Sequence, residues 1–171
     1  MNQNADCAED TPITPKGQVN SALKAWRSME GKPLGKWLFS RFVCFKAPYF
    51  ATIGPRFEEL RPGFARVSMK KRRGVTNHIG TVHAIAMCNL AELAAGTMTE
   101  VSIPGSMRWL PKGMQVDYVK KSTGGVQAVA TLPDVAEGPG RDVPATVEIT
   151  DDAGEVVCRA TITMWVSPRK K

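Results

Sequence analysis

The sequence predicts an α+β fold in which an antiparallel sheet lies against one long buried helix, with a helical extension in front. Three observations predict it. Residues 79–98 are apolar around most of a helical circumference and too long for a strand. Two short segments just before them flank the turn dipeptide Pro62-Gly63. Four segments after them alternate apolar and polar residues between turn signals.

At 171 residues the chain suits one domain with one sizeable core. With 43% hydrophobic and 23% charged residues it is neither disordered throughout nor fibrous. Residues 1–18, with Pro12, Pro15 and Gly17 among polar neighbours, read as a flexible tail. Residues 19–50 read as a helical lead-in. Val19, Leu23, Ala25, Trp26 and Met29 share one helical face, and a second helix is expected to begin at Pro33 and run towards Pro48. That second helix carries Lys36, Arg41 and Lys46 beside Trp37, Leu38 and Phe42. It reads either as a helix lying on a membrane surface or as a cover over one mouth of the core.

The main domain is expected over residues 51–167, with a basic tail at 168–171. Residues 56–61 and 64–71 form the hairpin, with Ala65, Val67 and Met69 on one side and Arg66, Ser68 and Lys70 on the other. In the long segment His83, Asn89, Glu92, two glycines and small polar residues argue against a membrane span. The strands that follow centre on Met114-Val116-Tyr118, Val126-Ala128-Ala130-Leu132, Val143-Ala145-Val147-Ile149 and Val156-Cys158-Ala160-Ile162. They read as a four-stranded antiparallel meander.

The net charge of +7 suggests an anionic partner: nucleic acid, a membrane surface or a phosphate-bearing small molecule. A nucleic-acid module interleaves aromatic residues with its basic stripe. Trp37, Trp109 and Trp165 are not placed that way, and no nucleic-acid partner is expected. The two histidines and four cysteines show no metal-ligand spacing, so no metal site is expected. Sparse cysteines and a polar, acidic start suggest reduced thiols in a cytoplasm.

Glu92 is the only Asp, Glu, Lys or Arg between Arg73 and Glu100. A carboxylate in an apolar helix either emerges at a solvated edge, pairs with a distant arginine, or works as a base or nucleophile in a semi-dry site. The residues ahead of it read Asn77-His78-Ile79-Gly80-Thr81-Val82-His83-Ala84-Ile85. Asparagine, glycine three later, histidine six later and an acidic residue nine after the histidine resemble the phenylacetyl-CoA type of hotdog-fold acyl-CoA thioesterase. The segment from Gly113 to Lys120 resembles that family's strand after the helix. The likeness spans residues 51–166 and implies a hotdog fold, a long central helix wrapped by an antiparallel sheet. The helical lead-in is additional and resembles an uncharacterised branch of that superfamily.

The resemblance implies hydrolysis of acyl thioesters of coenzyme A or of an acyl carrier, with no cofactor beyond the coenzyme A moiety of the substrate. A non-catalytic acyl-CoA- or lipid-binding hotdog protein is the alternative. Glu92 matches the family's base or nucleophile, and Asn77 the residue that orients water or carbonyl. Gly80, Thr81, His83, Ala84 and Ile85 match the substrate-binding turn, with the Ala84 N–H directed at the thioester oxygen and His83 ordering the turn. A helix N-terminus suits an oxyanion on physical grounds. The family's paired glycines after the histidine are here Ala84-Ile85, which keeps the N–H and adds bulk. A homodimer, and possibly a tetramer, is implied. Lys70, Lys71, Arg72 and Arg73, just ahead of Asn77, read either as a solvated strand end or as a site for coenzyme A phosphates.

Overall fold

The computed structural model describes residues 20–169, so the expected tail at 1–18, Val19 of the expected first helix and the terminal Lys170-Lys171 lie outside the described residues. Two helices come first: α1 (Ser21–Met29) and α2 (Gly35–Lys46). A 3₁₀ turn (Pro48–Ile53) leads into the hairpin strands β1 (Pro55–Arg61) and β2 (Phe64–Met69). The long helix α3 (Ala84–Ser102) follows. Strands β3 (Met107–Tyr118), β4 (Val126–Thr131), β5 (Arg141–Asp151) and β6 (Val156–Pro168) complete the chain.

All six strands form one antiparallel sheet in the order β1-β2-β4-β5-β6-β3, and α3 packs on its inner face, the hotdog arrangement. The expected meander in chain order is corrected in one respect. Strand β3 pairs with β6 and not with β4, because β4 bonds to β2 on its other side. The hairpin before the helix and the strands after it thus join into a single wall, and β3 becomes its edge.

Small residues set the closeness of α3 to the sheet. Ala91, Ala94 and Ala95 are fully buried beneath Leu90, Leu93 and Met98, so the helix axis lies near the strands. The helix starts later and ends later than the pattern suggested. Residues 79–83 are a turn, with Gly80 at φ 77°. At the far end the Thr99 and Ser102 hydroxyls donate to the Ala95 and Met98 carbonyls at 2.7 and 2.6 Å, which satisfies two buried polar side chains inside the helix.

The lead-in packs as part of the same core. Trp26 of α1, Phe39 of α2 and Phe57 of β1 meet edge to face, with centroids 5.1 Å apart for the first pair and 5.2 Å for the second. Helix α2 begins at Gly35 and not at Pro33. A Cβ at Gly35 would stand 1.7 Å from the Met29 carbonyl oxygen, so the α1–α2 corner requires glycine there. Among the described residues no helix is long and apolar enough to cross a membrane.

Candidate functional site

The turn before α3 is closed on itself. The Asn77 Oδ1 accepts from the Thr81 and Ile79 backbone N–H groups at 3.0 and 3.2 Å, and its Nδ2 donates to the Thr81 hydroxyl at 2.8 Å. The Thr81 carbonyl accepts from the Asn77 N–H at 2.9 Å, and Gly80 supplies the left-handed residue. Asn77 is therefore chiefly a turn builder, with one Nδ2 hydrogen left for anything else.

His83 caps α3. Its Nδ1 accepts from the Ile85 N–H at 3.1 Å, so the ring proton sits on Nε2, and its own N–H donates to the Val75 carbonyl at 2.8 Å. Among the described residues the Ala84 N–H meets no acceptor. The positive end of a 19-residue helix thus presents a free donor beside the exposed Ile85 side chain.

Glu92 lies two turns further along α3. Of the readings left open for it, the single chain shows the solvated edge: Glu92 is exposed and has no ion-pair partner among the described residues. It stands at a cavity of about 550 Å³ that α2, the C-terminal half of α3 and β3 enclose. Eight residues of helix separate Ala84 from Glu92, about 12 Å along the axis at 1.5 Å per residue. Within one chain the free N–H and the carboxylate therefore do not converge on one carbonyl.

Between them lies Cys88, whose Sγ is 3.0 Å from the Tyr118 hydroxyl. That hydrogen bond, with burial behind it, pushes the Tyr118 phenol up to about 12. Burial first, and then neighbouring Cys88, push the Cys158 thiol up to about 11. Both groups stay protonated at neutral pH, so neither is a ready nucleophile.

The basic segment divides. The Arg72 Nη2 donates to the Thr52 carbonyl at 2.6 Å and its guanidinium fills the space over Gly54, so it ties the 3₁₀ turn to the loop before α3. Lys70, Lys71 and Arg73 are exposed and free of ion pairs among the described residues.

Sequence reasoning missed the cavity and its far wall. Trp109 of β3 donates from Nε1 to the Glu100 Oε2 at 2.7 Å, and the Asn20 Nδ2 donates to the Glu100 Oε1 at 2.8 Å. A Cβ at Gly96 would lie 2.9 Å from the Trp109 ring, so the glycine lets the indole rest on the helix. A glycine four residues after Glu92 in a helix rich in alanine was the available signal.

The family model described as a domain of unknown function, DUF4442, matches residues 35–166, from the first residue of α2 into β6. No curated protein gives a significant match. Among solved structures, the structural-genomics protein APC5556 is 48% identical, with a TM-score of 0.75 over 86% of this chain and 98% of that one. The Pseudomonas aeruginosa protein PA5026, described as of unknown function and a probable thioesterase, is 25% identical, with a TM-score of 0.67 over 74% and 91%. A thioesterase family protein from Silicibacter pomeroyi, 21% identical with a TM-score of 0.65 over 76% and 96%, shares the fold.

Proposed function

The chain belongs to the DUF4442 family and carries the fold of the hotdog thioesterase superfamily, and from that premise we propose that it hydrolyses acyl thioesters of coenzyme A or an acyl carrier protein. The working unit is a homodimer. Each of its two sites takes Glu92 from one copy and the start of α3 from the other.

One observation carries the reading: α3 holds a free N–H at Ala84 and a free carboxylate at Glu92, about 12 Å apart. Two α3 helices packed antiparallel about a two-fold axis near Cys88 bring each Glu92 to the partner's helix start. Strand β3 supports the same assembly. It is an edge strand of 12 residues, paired with β6 on one side and with no described strand on the other, and Leu110, Met114 and Tyr118 stand exposed along it. An edge of that kind invites pairing with another strand.

The chemistry follows from the two groups. The Glu92 carboxylate takes a proton from water as the water oxygen attacks the thioester carbonyl carbon. The negative charge that develops on the carbonyl oxygen meets the Ala84 N–H and the positive end of α3. As the C–S bond breaks, the protonated Glu92 returns its proton to the thiolate. Asn77 and His83 act as positioning residues that hold the turn and the helix start. Lys70, Lys71 and Arg73 are the cations for coenzyme A phosphates, while Arg72 keeps their loop in place.

Ile85 favours a second reading. Its side chain is 57% exposed where the resembling enzymes carry glycine, and it narrows the approach to the Ala84 N–H. A protein that binds acyl-CoA without turnover has the same architecture. Thiol release from an acyl-CoA panel separates the two. Hydrolysis that Glu92→Gln reduces by about 10² to 10⁴, with an unchanged melting midpoint, supports the base. Acyl-CoA binding with no thiol released by the wild-type protein selects the binding module.

A further inference from the structure

We infer that the cavity between the helical lead-in and the second half of α3 is an acyl pocket shaped for an unbranched, apolar chain of medium length. The inference deepens the functional reading and rests on Glu92 being the reacting carboxylate.

The cavity has the volume of a small-molecule site, about 550 Å³, which is far more than an acetyl group needs. Its walls are apolar: Val43 and Phe50 on one side, Leu93 and Gly96 below, Trp109 and Pro111 opposite. Its polar lining is Ser21, Lys46, Thr97 and two carboxylates, and the two carboxylates differ. Glu92 is exposed and unpaired at one end. Glu100 at the other end is engaged on both oxygens, by the Trp109 indole and the Asn20 amide. The pocket thus begins at the proposed reaction centre and closes on a satisfied polar stop. Eight helical residues separate the two, a depth of about 12 Å. At roughly 1.3 Å of zigzag advance per carbon, that depth holds about eight to ten carbons.

Two features look built for this space. Gly96 lets the outer edge of the Trp109 ring touch the helix as part of the wall, where a Cβ would stand 2.9 Å from the ring and force a shift. Asn20 caps α1 by accepting from the Ala22 N–H at 2.7 Å and also clamps Glu100, so one side chain fixes the lead-in as the closing wall. The helical lead-in, which the resembling enzymes lack, supplies the side of the pocket that grips the chain.

The test uses thioether analogues, which bind without being hydrolysed. S-decyl-CoA and S-ethyl-CoA are titrated calorimetrically into the full-length protein and into Val43→Trp, which fills the cavity from α2. Thr97→Phe, from the opposite wall, serves if Val43→Trp does not fold. The expected result is that wild type binds the decyl compound at least about a hundredfold more tightly than the ethyl one, and that the filled variant loses this preference while keeping ethyl affinity. Equal affinities in wild type, or a preference that survives filling, overturn the pocket. Thiol release from decanoyl-CoA is read separately. A chain preference without turnover sinks the hydrolase and keeps the pocket, and turnover without a preference does the reverse.

Discussion

The two ends of α3 are built to different standards of completeness. Towards its C-terminal end the polar side chains of Thr99, Glu100 and Ser102 all have partners within the chain. Thr99 and Ser102 bond to carbonyls one turn back, and Glu100 is gripped by Trp109 and Asn20. From Ala84 to Glu92 the helix leaves a free N–H, an exposed isoleucine and an exposed carboxylate. Folding alone accounts for the first end. The second end has groups that only another molecule completes, and the proposed partners are a second copy of the chain and a thioester between the two.

The contrast can be broken at either end. The largest effect on stability is expected at the finished end. Met98 is fully buried, and Met98→Ala costs about 2–5 kcal/mol in a denaturant titration. An intermediate effect is expected beside Cys88, at high pH. The Cys158 thiol ionises near 9.0 when unfolded and near 11 when folded. The protonated folded form is therefore fully favoured below pH 9, and stability falls as pH rises from about 9 to 11. Cys158→Ala removes about 2 kcal/mol of that fall in melts recorded across the window. The Tyr118 phenol, held protonated to about 12, carries a later part of it. The smallest effect is expected at the unfinished end. Ile85→Ala changes stability by less than about 0.5 kcal/mol, while it opens the approach to the Ala84 N–H and raises thiol release.

Much of the fold was legible because its signals are local. The Pro62-Gly63 turn, the alternation of Ala65, Val67 and Met69, and the length of the apolar helix each follow from neighbours in sequence. The position of β3 was not legible, because its pairing with β6 joins residues such as Val116 and Ala160 that no short-range pattern links. The turn residues from Asn77 to Ala84 were legible as a spacing, yet the use of the Asn77 side chain inside its own loop shows only in three dimensions. Which of its open readings Glu92 takes was not legible for a related reason. Helical periodicity reports which faces are apolar, and Phe42 and Phe50 stand over the apolar cavity beside it without sealing the carboxylate from solvent. The wall made by Asn20, Glu100 and Trp109 joins three distant segments and left only Gly96 as a trace.

Subunit complementation tests the shared site most directly. Glu92→Gln removes the base. Ala84→Pro removes the helix-start N–H at the one helical position where proline is well tolerated, after a residue already extended at ψ 134°. Each variant alone is expected to be inactive. Mixed and reassembled, half of the dimers contain one of each chain, and one of their two sites is intact, so activity recovers to about a quarter of wild type. Two inactive variants that recover nothing on mixing, with mixed dimers shown to form, would contradict a site built from Glu92 of one copy and Ala84 of the other.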